Sequence, residues 1–121
     1  MTRATGRRTP AQCAGAAAED FAERLLARHG LQVLARNYRT RFGEIDLIAR
    51  EGDTLVFVEV RMRADGRFGG AGGSVTRAKR SRIEAAARHY LSRLGREPAC
   101  RFDVVSLEGG EPRWLRAAFE G

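Results

Sequence analysis

The chain has few cysteines and no long apolar run. Among its 121 residues there are only two cysteines, Cys13 and Cys100, which lie far apart with no Cys-x-x-Cys or paired-histidine spacing. This pattern argues against a zinc knuckle and a disulfide framework, and it favours a reduced compartment. No segment approaches the roughly 18 uninterrupted apolar residues of a membrane span. The basic start at residues 1–8 is not followed by an apolar signal core, so we expect a cytoplasmic protein with no membrane contact.

Lysine is also nearly absent. Of the 22 basic residues only Lys79 is a lysine, and the net charge is +7 with a pI of about 10.9. A strongly basic chain favours a polyanionic partner, nucleic acid first and an acidic protein or lipid surface second. The simpler alternative is a basic solvated surface from an arginine-favouring genome.

The length and composition predict one folded domain. A hydrophobic content of 43% in 121 residues can fill a single modest core. Residues 1–9 are polar, basic and unpatterned, and they predict a disordered tail. We therefore assign 10–121 to a single domain.

Periodicity and capping signals predict an α/β fold. Thr76 is a candidate N-cap, and Gly30 and Gly95 are natural helix stops. The glycine-rich segment 66–73 lacks the Gly-Lys-Ser/Thr ending of a P-loop, so it predicts either a mobile flap that admits a nucleic-acid strand or a plain flexible loop. The order is αβββαβ with a short last strand, a mixed central sheet flanked by helices. The predicted helices are 10–29 and 77–94, and the predicted strands are 31–38, 44–50, 54–62, 102–107 and 113–118.

Two carboxylates interrupt otherwise apolar strands. Asp46 and Glu59 are costly in half-buried strands unless a partner charge or a metal compensates them. If Gly52-Asp53 is the two-residue turn of a hairpin, Asp46 lies opposite Glu59 on one face of the sheet, and Glu44 faces Arg61. Opposed same-face residues have Cβ atoms about 4.5–5.5 Å apart, so two like charges there require something positive between them.

A divalent cation, Mg²⁺ or Mn²⁺, held by Asp46 and Glu59 would supply that charge. Such a metal can bind a phosphate oxygen, lower the pKa of a bound water and stabilise the charge that develops during in-line attack. Arg61 is the nearest basic side chain on the same face and can hold phosphate, but it stays protonated and cannot act as a general base.

Each of these residues also has a structural explanation. Glu44 and Arg61 can form a simple cross-strand ion pair. Asp46 can accept backbone hydrogen bonds near the hairpin, and Glu59 can pair with an arginine. Glu19, at the edge of the apolar stripe of the first helix, can be an ordinary surface acid, although it can also look toward whatever the helix covers.

Basic residues crowd the start of the second helix, where backbone N–H groups already favour phosphate. A solvated basic helix end is the competing interpretation. The full set of residues that we predict to contact nucleic acid is Arg39, Arg41, Arg63, Arg67, Arg77, Arg80 and Arg82.

Several motifs in one order carry a family resemblance. They are Gly15-x-x-x-Glu19, the runs 35–39, 43–48 and 56–60, Val75-Thr76 with Lys79, and the run 101–105. This arrangement resembles the PD-(D/E)xK nuclease superfamily, and more closely the YraN family of predicted endonucleases related to archaeal Holliday junction resolvases. The resemblance implies a restriction-endonuclease-like αβββαβ core with Glu19, Asp46 and Glu59 as acidic site residues. Because junction-cutting relatives work as dimers, it also suggests a homodimer.

The chain departs from the superfamily at the last motif position, where it has Arg61 in place of lysine. In superfamily members the catalytic lysine can migrate to a neighbouring element, so Lys79 is the candidate for that role. The leading expectation is a metal-dependent nuclease that binds structured or branched DNA, with DNA favoured over RNA. The alternatives are an inactive nucleic-acid-binding module on the same fold, and an assembly or adaptor protein whose acidic cluster only stabilises the sheet.

Overall fold

The computed structural model describes residues 10–62, 76–107 and 111–119, with side chains from Gly15 onward. The predicted tail 1–9, the glycine-rich segment 66–73, and Arg63 and Arg67 lie outside these residues.

The predicted element order is confirmed. In chain order the elements are α1 (Pro10–Arg28), β1 (Gln32–Thr40), β2 (Gly43–Glu51), β3 (Thr54–Arg61), α2 (Arg77–Leu94), β4 (Cys100–Ser106) and β5 (Arg113–Phe119). Helix α2 begins and ends at the predicted caps. The Thr76 hydroxyl oxygen accepts a hydrogen bond from the Lys79 backbone N–H at 3.1 Å, and Gly95 adopts a left-handed conformation with φ 75°.

The five strands form one mixed sheet in the order β1-β2-β3-β4-β5. Neighbouring strands are antiparallel except β3 and β4, which run parallel. A parallel pair requires a crossover connection, and α2 provides it. The crossover lays α2 over one face of the sheet, where it lies nearest to β2.

The two helices cover opposite faces of the sheet. The α1 face buries Ala22, Leu26, Leu47, Val56 and Val58, among others. The α2 face buries Ile83, Ala86, Ala87, Ile48, Phe57 and Val104, among others. Because side chains alternate along a strand, Glu59 follows Phe57 on the face that α2 covers.

The β2–β3 hairpin has the predicted register. Its pairs run from Glu51↔Thr54 at the turn to Leu47↔Val58, and Gly52 has φ 59°. The pairing ends there, one position before Asp46 and Glu59. The prediction that these two residues form a directly opposed ladder pair is therefore wrong. The reason is local: the Asp46 carboxylate accepts the Val60 N–H at 2.8 Å and takes the place of a ladder carbonyl.

The predicted contact of Glu44 with Arg61 is also wrong. Glu44 pairs with Arg39 in the β1–β2 ladder, and its Oε1 accepts a hydrogen bond from Arg39 Nε at 3.1 Å. Since β2 has already left β3 at this point, Glu44 follows β1 and its partner comes from there.

The run 101–105 has a structural role in β4. Asp103 is fully buried and accepts hydrogen bonds from Arg101 Nε at 3.0 Å, Trp114 Nε1 at 2.9 Å and the Ala117 N–H at 2.9 Å. A buried carboxylate with this many donors is compensated without a ligand. These bonds attach β5 to β4.

None of the helices in the described residues is both long and apolar enough to cross a membrane.

Candidate functional site

Asp46 lies where β2 separates from β3. Its pKa is raised to about 7, first by burial and then by the negative charge of Glu59, with a smaller contribution from Glu19. The Val60 N–H acts in the opposite direction because it stabilises the ionised carboxylate. Asp46 is thus a carboxyl group whose ionisation is opposed by two acidic neighbours.

Glu59 meets Asp46 at the end of β3. It is buried, and its carboxyl group lies close enough for its negative charge to raise the pKa of Asp46. The structure therefore brings the two predicted metal ligands together, although it does so through a separated strand end and not through the ladder.

Lys79 reaches the same pair from α2. Its Nζ lies 2.8 Å from Glu59 Oε2, in the first turn of the helix. The ammonium group of the single lysine in the chain thus lies beside the acidic pair.

Arg61 follows Glu59 by two positions, with Glu59 paired to Val104 and Arg61 to Ser106 across the parallel ladder. Its Nε is buried, and no hydrogen-bond acceptor for this atom is found among the described residues.

Glu19 approaches Asp46 from the α1 side. Its Oε1 accepts hydrogen bonds from Asn37 Nδ2 at 3.1 Å and from Arg36 Nη2 at 3.4 Å. Asn37 has φ 53° and lies between the pairs Arg36↔Leu47 and Tyr38↔Ile45, which puts it opposite Asp46. Asparagine tolerates this left-handed conformation better than most residues.

Asn37 and Arg36 were not predicted as site residues. Arg36 also binds Asp20 Oδ1 at 2.7 Å and Glu23 Oε1 at 3.3 Å, so one guanidinium joins three acids of α1 to β1. The sequence carries one weak signal for this arrangement, an Arg-Asn pair inside a strand, where asparagine is depleted.

A cleft of about 420 Å³ opens over the acidic pair. Three of the predicted nucleic-acid contacts, Arg39, Arg41 and Arg82, line it. Arg77 is exposed outside the lining, and the Arg80 guanidinium lies over the Phe119 ring, 5.2 Å from its centroid. The cleft is lined by Arg39, Thr40, Arg41, Phe42, Gly43, Glu44, Asp46, Glu59, Lys79 and Arg82.

The residues at this site that could hold a metal are Asp46 and Glu59. Within the ranges that the structure describes, no group of three or more His, Cys, Asp or Glu side chains has a metal-binding arrangement. A pair is sufficient for Mg²⁺, which usually takes one or two carboxylates and completes its shell with water and phosphate. Burial and the negative charge of Glu59 raise the pKa of Asp46, and a bound cation would offset this cost of ionising Asp46, so these residues fit a hard divalent ion.

Comparison with known proteins places the chain in a family. Residues 18–107 match the family model described as Uncharacterised protein family UPF0102. A UPF0102 protein of Nitrosospira multiformis is 57% identical over 109 residues, which cover 88% of this chain and 92% of that protein. A relative from Cupriavidus pinatubonensis is 56% identical over 110 residues, covering 90% and 87%. One from Aeromonas hydrophila is 54% identical over 104 residues, covering 84% and 80%. The chain belongs to the UPF0102 family, which is the YraN family that the motif order indicates.

Proposed function

We propose that this protein is a metal-dependent nuclease that hydrolyses phosphodiester bonds in structured or branched DNA. One observation carries the proposal: Asp46, Glu59 and Lys79 converge in a cleft that arginines line. A buried acidic pair without a function would be a net cost to the fold, whereas the same pair beside a lysine suits phosphoryl chemistry.

Asp46 and Glu59 would hold Mg²⁺ or Mn²⁺, which when bound activates water and neutralises charge on the phosphate. To serve as a metal ligand Asp46 has to be ionised, so metal binding would release its proton. Glu19, held by Asn37 and Arg36, keeps a third negative charge near Asp46.

Lys79 supplies the cationic group of the motif in this proposal. Its ammonium lies against Glu59 and has further N–H donors for a water molecule or a phosphate oxygen. Arg61 remains protonated, so its contribution is limited to holding phosphate.

The cleft arginines position the substrate. Arg39, Arg41 and Arg82 line the cleft, where guanidinium groups can bind backbone phosphates bidentately. The preference for branched DNA over other nucleic acids, and the homodimer that would cut a junction symmetrically, are supported by the family resemblance alone.

The test is cleavage of a panel of duplex, single-stranded, flap and four-way-junction DNA in the presence of Mg²⁺ or Mn²⁺. We expect cleavage that Glu59→Gln and Asp46→Asn abolish and that the exposed control Glu97→Gln leaves unchanged. Cleavage that survives in both site variants would identify a contaminant, and no cleavage with any divalent metal would refute the enzymatic function.

The arginine-lined cleft favours a second candidate, an inactive nucleic-acid-binding module. Phosphate neutralisation by arginine requires no metal, so this candidate predicts salt-dependent binding that persists in EDTA without cleavage. Measuring affinity and cleavage on the same substrates separates the two functions.

A further inference from the structure

The turn between β1 and β2 presents an aromatic side chain at the cleft. Phe42 is 63% exposed and is one of the cleft-lining residues. A single exposed aromatic residue is common on protein surfaces and has no meaning by itself. What distinguishes Phe42 is how rigidly its backbone is held and which groups surround it.

The Thr40 hydroxyl locks the turn. Its oxygen accepts hydrogen bonds from the N–H groups of Phe42 at 3.0 Å and Gly43 at 3.1 Å, and the hydroxyl donates to the Gly43 carbonyl at 3.0 Å. One donor and two lone pairs are all that a hydroxyl offers, so its capacity is used completely. The residue that carries the exposed ring is thereby fixed relative to β2.

The turn also packs closely against α2 at Gly43. A Cβ atom added to Gly43 would lie 2.1 Å from the Arg82 carbonyl oxygen, which leaves no room for any side chain there. Gly43, the neighbour of Phe42 in the chain, is therefore fixed against the helix that carries Lys79. Little backbone entropy remains to be lost when a ligand binds to such a residue.

The surroundings of Phe42 are cationic. The Arg41 guanidinium lies over its ring, 5.4 Å from the centroid, and Arg39 and Arg82 line the same cleft. An aromatic ring among arginines is the combination by which proteins bind single-stranded nucleic acid, with the ring stacking on a base and the cations on phosphates. A second copy of this basic chain would bring like charge to the same place, which disfavours a self-contact.

We propose that Phe42 is a nucleobase-stacking site, and that the substrate class is DNA with an unpaired nucleotide next to the cleaved phosphate. In a continuous duplex each base face is covered by its neighbours, so stacking on Phe42 would first require unstacking. Single strands, flaps and branch points offer a free base face. The cleavage part of this inference rests on the proposed function, whereas the binding part does not.

The experiment measures binding in EDTA with oligonucleotides that carry 2-aminopurine at one unpaired position, in single-stranded, flap and fully duplex forms of equal length. Stacking on Phe42 is expected to change the fluorescence of the unpaired base. Phe42→Ala should weaken single-strand and flap binding about tenfold, the range of one base–aromatic stack. Phe42→Trp should restore affinity, and Phe42→Leu, which is apolar but has no π face, should not.

Duplex binding should change less than about twofold in all three variants, since it depends on phosphate contacts. Melting curves of the variants should match the parent, because the ring is exposed. Unpaired bases occur in DNA and in RNA, so a single-stranded RNA of the same sequence is measured as well. Tighter binding of the RNA would support base stacking on Phe42 but would overturn DNA as the substrate class.

The outcomes separate this inference from the nuclease. Equal loss of duplex and single-strand affinity in Phe42→Ala, or no loss at all, overturns the stacking site and leaves the nuclease untouched. A change of sedimentation behaviour in Phe42→Ala with unchanged DNA binding would show a protein contact and also overturns it. Phe42-dependent binding without cleavage under any metal overturns the nuclease alone. No affinity for any nucleic acid overturns both.

Discussion

Lys79 Nζ lies 2.8 Å from Glu59 Oε2 and joins the first turn of α2 to the end of β3. All the remaining Lys and Arg positions of the chain are arginine, yet the side chain that contacts the buried Glu59 is a lysine. The two cations differ in hydration and shape, and only lysine can lose its proton. This contact is consistent with Lys79 as the catalytic lysine of the proposed nuclease.

Substitution of Lys79 tests that role. We expect Lys79→Ala to lower the cleavage rate by about 10²-fold or more, the scale of losing one preorganised charged donor, and Lys79→Arg to recover only part of it. Arg61→Ala, two positions after Glu59 on β3, is the matched comparison and should lower the cleavage rate less. Full activity of Lys79→Ala together with an inactive Arg61→Ala would transfer the motif role to Arg61.

Asp46 makes stability depend on pH. Its folded pKa of about 7 lies above its ordinary value of 3.8, so the folded state holds a proton that the unfolded state has lost between these values. The free energy of unfolding should therefore fall as the pH rises from about 4 to about 7, by about 1.4 kcal/mol for each unit of pKa difference, and level off above.

Urea denaturation of the parent and of Asp46→Asn across this pH range checks the prediction. Asparagine keeps a carbonyl oxygen for the Val60 N–H but cannot ionise, so its profile should be flatter than that of the parent. Parallel profiles would show that Asp46 has no raised pKa. In the parent, Mg²⁺ or Mn²⁺ should raise the melting temperature more at pH 8 than at pH 5, because the metal needs ionised ligands.

Asn37 positions Glu19 in the proposed site. Asn37→Gly suits the backbone at φ 53° and removes the amide that binds Glu19, so it should keep the melting temperature and lower the cleavage rate. Asn37→Ala removes the same amide and adds backbone strain, so it should lower both. If Asn37→Gly cleaves as fast as the unsubstituted protein, Glu19 does not need to be positioned by Asn37.

Gly43 allows the β1–β2 turn to contact α2. Gly43→Ala places a methyl group against the Arg82 carbonyl, a backbone atom that cannot rotate away, and should destabilise the fold by about 1–3 kcal/mol. Gly15→Ala is the control, since a Cβ there meets nothing within 4 Å and alanine favours a helix. It should leave stability equal or higher. A fully stable Gly43→Ala protein would show that the turn can move away from α2.

The element order was predictable because local signals agree along the chain. Apolar periodicity, the Thr76 and Gly95 caps and the turn at Gly52 each act within a few residues, and the observed elements begin and end within two residues of the predicted ones. The hairpin register followed from the turn length alone. The hairpin register did not predict the end of the β2–β3 pairing at Asp46. There the Asp46 side chain accepts the Val60 N–H in place of a backbone carbonyl, and the alternation of polar and apolar residues does not reveal such a replacement.

The amino-acid sequence by itself determined which strands and helices form, in what order, and that two acids follow each other closely through a tight hairpin. Only the tertiary structure decided which groups meet those acids. Lys79 reaches Glu59 because the parallel pairing of β3 and β4 lays α2 over that face, Glu19 reaches Asp46 because α1 packs on the other, and Phe42 reaches the cleft because Gly43 permits close contact with α2. Contacts of this kind depend on the packing of whole elements, and the spacing of residues along one element does not encode them.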